Sequence, residues 1–60
     1  MFRVSYWMEA TRRYPEGHYS EGVVFTSRSQ ANIFAKKMDR KNHPAVMEML
    51  VFGRWVKTYR

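Results

Sequence analysis

The chain has 60 residues and carries eleven lysines and arginines against five acids, a formal net charge of +6. It contains no cysteine, so disulfides and thiolate metal sites are excluded, and His18 and His43 alone do not predict a structural zinc site. It also has four phenylalanines, four tyrosines and two tryptophans, more rings than one small core needs. This composition is typical of a small binding protein that attracts polyanions or acidic protein surfaces.

Length and apolar patterning predict one soluble domain over residues 1–60. The longest apolar run, Met49 to Phe52, is far too short to cross a bilayer, so we expect no membrane partner. The first residues lack the pattern of a secretory signal peptide, and we expect a cytoplasmic protein. A domain of this size buries only about 60% of the surface of its unfolded chain, so stability requires a dense core or self-association.

The first third of the chain predicts a β-hairpin. Residues 2–10 alternate apolar and polar side chains with a period of two, which is typical of a strand. Residues 14–17, Tyr-Pro-Glu-Gly, predict a tight turn, because proline presets one central position and glycine tolerates positive φ. Residues 18–26 are the return strand.

The position of this turn predicts which residues share a face of the sheet. A turn at Pro15 and Glu16, with Gly17 as a bulge, pairs Met8 with Val24 and Trp7 with Phe25. The face that we assign to a helix then holds Phe2, Val4, Tyr6, Met8 and Val24. The face left uncovered holds Trp7, Tyr19, Val23 and Phe25, together with Trp55. A slip of one residue in the pairing would exchange the two faces.

A helix is predicted from Arg28 to Lys41. Ser27 and Gln30 have the spacing of a capping box at its start, and Pro44 prevents its continuation. Apolar side chains recur at helical spacing and form one stripe, at Ala31, Phe34, Ala35 and Met38.

Residues 45–51 predict a further strand, followed by one of two structures. Phe52 and Gly53 can form a two-residue turn, with residues 54–59 as an outer strand, although phenylalanine is a poor residue for such a turn. The alternative is one long strand with a bulge at Gly53. We favour the hairpin. The predicted fold is α+β: a small antiparallel sheet in the order β-β-α-β, extended by this fourth C-terminal strand, with one helix packed on one face.

Basic residues cluster beside the first turn and on the outward half of the helix. Asp39 is the one acid within the predicted helix, against five bases. The cluster predicts phosphate contacts, whereas an ordinary solvated surface, favourable to the helix dipole near its C-terminus, is the alternative. The candidate nucleic-acid-binding residues are Arg12, Arg13, Lys36, Lys37, Arg40 and Lys41.

The uncovered aromatic face supports a second hypothesis. Such a face resembles the stacking surfaces of single-stranded nucleic-acid binders, and it equally fits a homodimer or a protein partner. Ile33 lies between the helix cations and can extend a contact patch. The candidate contact residues are Trp7, Tyr19, Phe25, Ile33 and Trp55.

Catalytic signals are missing from the sequence. Its acids form no recognisable pair, and it has neither a glycine-rich phosphate loop nor the spacing of a metal site. We therefore expect a protein that is not an enzyme and that uses no cofactor or metal.

The layout also resembles a class of known proteins. The segment from Phe25-Thr26-Ser27 through Lys36-Lys37-Met38, then a strand and Gly53-Arg54-Trp55-Val56-Lys57, looks like short accessory proteins of phages and other mobile elements. The resemblance implies a cytoplasmic protein that works by binding a host protein or nucleic acid, and it carries over no site residues.

The sequence thus leads to three functional hypotheses. The first is a non-enzymatic nucleic-acid-binding protein that uses the basic helix face and the hairpin loop. The second is a phage-type modulator or inhibitor that binds a host protein through the aromatic sheet face. The third is a structural homodimer.

Overall fold

Five strands and one helix follow each other in the computed structural model, which describes residues 1–59. They are β1 (Phe2–Met8), β2 (His18–Tyr19), β3 (Val23–Phe25), α1 (Arg28–Arg40), β4 (Ala45–Val51) and β5 (Arg54–Thr58). All pairings are antiparallel: β2 and β3 lie along one side of β1, β4 lies on its other side, and β5 follows β4. The predicted α+β class and the additional C-terminal strand are confirmed.

The helix packs on one face of the sheet through two alanines. Ala31 and Ala35 are fully buried and lie against Val4 of β1 and Met47 of β4, which are also fully buried. Alanine has little bulk, so the helix backbone can approach the strands closely. A ring of half-buried apolar residues surrounds these four, namely Phe2, Phe25, Phe34 and Ala45. The main footprint of the helix covers β1, β3 and β4, and β5 lies outside it.

Local signals set both ends of the helix. The Ser27 hydroxyl accepts a hydrogen bond from the Gln30 backbone N–H at 3.5 Å, as the capping-box spacing predicts. At the other end, the His43 N–H donates to the Met38 carbonyl at 2.9 Å, and Asn42 adopts positive φ. The predicted helix is confirmed, with its last helical residue one position earlier than expected.

The pairing predicted for the first hairpin is wrong. Met8 pairs with His18 and Trp7 with Tyr19, in place of Val24 and Phe25. The predicted tight turn is present, with the Gly17 N–H donating to the Tyr14 carbonyl at 3.0 Å and Gly17 at φ +79°, but it lies within a longer loop of residues 9–17. Residues 20–22 then interrupt the return strand. Between the pairs Val4–Val23 and Trp7–Tyr19, β1 advances by three residues whereas the return strand advances by four. This extra residue is a β-bulge, and it shifts the alternation of faces.

The bulge changes the faces of the residues that follow it. Phe25 pairs with Phe2 and lies on the helix side, where its ring centre is 5.4 Å from that of Phe34. Val23 pairs with Val4 on the same side, whereas Val24 pairs with Arg3 on the opposite, outer face. The predicted outward placement of Phe25 and Val23 and the predicted inward placement of Val24 are therefore wrong.

A two-residue turn joins β4 to β5, as we favoured from the sequence. Val51 pairs with Arg54, and the turn residues Phe52 and Gly53 have φ of +48° and +78°. The single long strand is excluded. Both positive φ values fit the type of turn that usually contains asparagine and glycine, and the Phe52 side chain is completely exposed.

Replacing Phe52 by asparagine should stabilise the protein. The left-handed conformation costs an ordinary residue about 1–2 kcal/mol, and asparagine tolerates it better. We expect Phe52→Asn to raise the free energy of unfolding by about 1 kcal/mol in urea denaturation. Phe52→Leu keeps the backbone strain and serves as the control, with little change expected. An unchanged or lower stability of the asparagine variant would show that the ring contributes to folding.

Candidate nucleic-acid interface

The outward side of α1 forms a basic surface with an apolar centre. Ile33, Lys36, Lys37 and Arg40 line one shallow groove of about 420 Å³. Their spacing of three, four and seven residues places them on neighbouring turns of one helix face. The Ile33 side chain is 68% exposed, and the three cations are exposed around it. Three of the four predicted helix cations are therefore assembled in one place, and Lys41 follows them as the C-cap residue.

The loop of residues 9–17 presents the other predicted cations, Arg12 and Arg13, which are both exposed. The loop is held by short-range contacts: the Thr11 hydroxyl accepts from the Tyr14 N–H at 3.2 Å, and the Tyr14 carbonyl accepts from the Gly17 N–H at 3.0 Å. The Tyr14 ring packs on His18, with ring centres 4.1 Å apart. These contacts hold the loop that carries the two arginines in place at the end of β1.

The loop and the C-terminus of the helix lie at the same end of the sheet. The Trp7 N–H near the end of β1 donates to the Pro44 carbonyl at 2.8 Å, and His43 Nδ1 lies 3.0 Å from the Trp7 carbonyl oxygen. The segment just after the helix is thereby tied to the strand end from which the loop begins. Arg12 and Arg13 are consequently on the same end of the molecule as Arg40 and Lys41.

Among residues 1–59, none of the predicted cations forms a side-chain ion pair with an acid. In that part of the chain the one side-chain ion pair joins Arg3 to Glu48 on the opposite side of the sheet, at 2.8 Å. Asp39, the acid of the helix, directs Oδ1 to the Ala45 N–H at 3.0 Å and so ties α1 to β4. The helix face is net positive, whereas in the loop Glu9 and Glu16 balance the formal charge of Arg12 and Arg13. The positive field therefore comes mainly from the helix face.

The outer sheet face, opposite the helix, has a charged centre. Arg3 Nε and Nη2 both donate to Glu48 Oε1, at 3.0 and 2.8 Å. The Arg3 guanidinium also lies 4.5 Å from the centre of the Trp55 ring. Gly22 permits this arrangement, because a Cβ atom there would lie 2.2 Å from Arg3 Cγ. The face is thus not the bare aromatic surface expected from the sequence.

Trp7 and Tyr19 lie on the outer face as predicted, at the end near the loop. Their rings pack edge to face with centres 5.1 Å apart, and the Trp7 ring lies against Gly17. Tyr19 is more than half exposed and borders a groove of about 340 Å³. The groove is lined by Ser5, Tyr19, Val46, Glu48 and Lys57.

The five predicted contact residues do not form one surface. Trp7, Tyr19 and Trp55 share the outer sheet face, Ile33 lies on the opposite side of the molecule, and Phe25 packs inside against Phe34. The Arg3–Glu48 pair was missed. Both residues stand at polar positions of alternating strands, but only the pairing of β1 with β4 shows that they face each other.

No protein-family model matches the sequence, and no match was found among curated proteins or solved structures. In the described part of the chain, no helix is long and apolar enough to cross a lipid bilayer. Residues 1–59 also contain no group of three histidine, aspartate or glutamate side chains that could hold a metal ion. The resemblance to phage accessory proteins stays a prediction.

The Arg3–Glu48 pair should make a small but measurable contribution to stability. We expect a double-mutant cycle with Arg3→Met and Glu48→Gln to give a coupling free energy of roughly 0.5–1 kcal/mol, because the pair is only partly shielded from solvent. The measurement is urea denaturation of the four proteins at low and high salt, with weaker coupling at high salt. Zero coupling at both salt concentrations would contradict the pairing.

Proposed function

We propose that this chain is a non-enzymatic protein that binds nucleic acid in the cytoplasm, with phosphate contacts from the helix face and the loop. The observation that carries the proposal is the helix face, where Lys36, Lys37 and Arg40 lie together and form no side-chain ion pair with an acid of residues 1–59. The contacting residues are Arg12, Arg13, Lys36, Lys37, Arg40 and Lys41.

Helix geometry supports contacts from the side of α1. Lys36, Lys37 and Arg40 are neighbours on one face, with Cβ atoms of residues three or four apart separated by about 5–6 Å. The C-terminal end of a helix carries partial negative charge, so phosphates would bind to the side chains and not to the helix end. Contacts of this kind release counterions and depend little on base sequence.

Salt dependence tests the proposal directly. Fluorescence anisotropy of labelled single-stranded and duplex DNA and RNA, at roughly 50 and 200 mM salt, measures the affinity. Six phosphate contacts should weaken binding about a thousandfold across this range. The preferred ligand then distinguishes DNA from RNA and single strands from duplexes. Absence of binding at the lower salt concentration would contradict the proposal.

Charge reversal at two arginines should locate the binding surface. Arg40→Glu should weaken binding roughly tenfold or more, because it removes one contact and repels phosphate. Arg54→Glu causes the same change in net charge, but Arg54 follows the turn at the opposite end of the sheet. The molecule is 37 Å long and the Debye length at 0.1 M salt is about 10 Å, so the control should change affinity less than about threefold.

Both variants should retain the helical circular-dichroism signal of the parent. Equal losses of affinity would mean that only net charge matters and would contradict the assigned surface. A stronger effect of Arg54→Glu would place the interface at the other end of the molecule.

A protein partner is a second candidate, favoured by the exposed Tyr19 ring beside its groove on the outer face. An interface there would depend on Tyr19 and Trp55, because aromatic anchors contribute most of the binding energy of protein interfaces. Tyr19→Ala should abolish capture of such a partner and leave nucleic-acid binding unchanged. A loss of nucleic-acid affinity in this variant would instead indicate that the outer face contacts bases.

A further inference from the structure

We propose that the free edge of β5 pairs with β5 of a second copy of this chain. The two strands would run antiparallel about a twofold axis at Val56 and join two sheets into one. Both helices would then lie on the same side of the joined sheet. This interface is distinct from the aromatic face considered above, and the proposal does not depend on nucleic-acid binding.

The hydrogen-bonding groups of β5 support this pairing. Val51 and Arg54 flank a two-residue turn and form a hydrogen-bonded pair, so the backbone groups of Val56 also point toward β4. The backbone N–H and C=O groups of Trp55 and Lys57 therefore point away from the sheet. Each copy offers two donors and two acceptors along this edge.

The edge has little protection against pairing. Strand edges in proteins are usually blocked by charged side chains, by proline, by a bulge, by short length or by a covering element. Of these, β5 has the charged side chains of Arg54 and Lys57. Residues 54–58 contain no proline and pair in regular register with β4, and β5 lies outside the main footprint of α1. The helix reaches the end of this strand through Arg28, which donates to Thr58 Oγ1 and to the Tyr59 carbonyl. Val56 is 48% exposed although it is on the helix side. The opposite edge, by contrast, is interrupted at residues 20–22.

The sequence of β5 is complementary to itself in this register. Val56 would face Val56 of the second copy on the helix side. Trp55 would face Lys57 of the second copy on the outer side, so each lysine could lie over an indole ring. Arg54 would face Thr58, and no two cations would stand directly opposite each other. Like charges in opposed positions would have disfavoured the pair.

The limited core gives a reason for self-association. Four residues of the described chain form the fully buried apolar core, and two of them are alanines. Chains of this length without disulfides or metals commonly gain stability by burying further apolar surface in an oligomer. Pairing through β5 would cover the Val56 side chain and the free backbone edge of the β4–β5 hairpin.

Sedimentation equilibrium of the whole chain, without nucleic acid, tests the proposal. The parent should reach twice the mass of one chain as its concentration rises from micromolar to millimolar. Val56→Lys places two cations at the twofold axis and should leave a monomer over the whole range. Val24→Lys is the matched control, because Val24 is 49% exposed and belongs to the opposite edge of the sheet, and it should still dimerise.

A monomeric parent at millimolar concentration would overturn the proposal. It would also be overturned if Val56→Lys, shown by circular dichroism to be folded, dimerised like the parent, or if both variants lost the dimer.

Cysteine crosslinking provides a second test that depends on the register. The residues at the axis form a pair without backbone hydrogen bonds, with Cα atoms about 4.5 Å apart, which is compatible with a disulfide. The chain has no cysteine of its own. Under oxidised glutathione, Val56→Cys should form a covalent dimer at least tenfold faster than Val24→Cys. Equal rates, or no crosslinking of Val56→Cys, would contradict the pairing.

Discussion

One helix has to cover a sheet of five strands, and this constraint explains most of the structure. Ala31 and Ala35 bring α1 close to β1 and β4, where Val4 and Met47 complete the buried core. A single helix is too narrow to cover β5 as well, and it cannot cover the second face of the sheet. The outer face and the β5 edge are therefore left to solvent or to partners.

The uncovered surfaces differ in how their charges are arranged. On the outer face, Arg3 and Glu48 neutralise each other and Trp55 packs against the pair. On the helix side, Lys36, Lys37 and Arg40 surround Ile33, and no ion pair joins them to an acid of residues 1–59. Residues 28–41 hold five bases against one acid, so this side of the molecule carries a net positive charge that can act on a polyanion. A dimer through β5 would place two such helix faces on the same side and allow bivalent binding.

Sequence reasoning succeeded where local signals decide the structure. The cap at Ser27, the apolar stripe of α1 and Gly53 in the turn after β4 each act within a few residues. It failed at the first hairpin, whose pairing depends on the loop of residues 9–17 and on the bulge at residues 20–22. An alternating pattern shows that a strand has two faces but not which face is buried. One extra residue therefore moved Phe25 from the predicted contact surface to the helix side, where it packs half-buried against the core.

For the candidate site, too, prediction succeeded where local spacing decides the structure and failed where distant strands pair. The helix cations were predictable because spacing along a helix determines their face, whereas the Arg3–Glu48 pair required the pairing of two distant strands.

The most direct test of the central claim is a nuclear magnetic resonance titration of the ¹⁵N-labelled chain with short oligonucleotides at low salt. We predict amide shifts in residues 33–41 and 9–17, with the turn at Phe52 unchanged. Shifts confined to the outer sheet face, or none at all, would contradict the account.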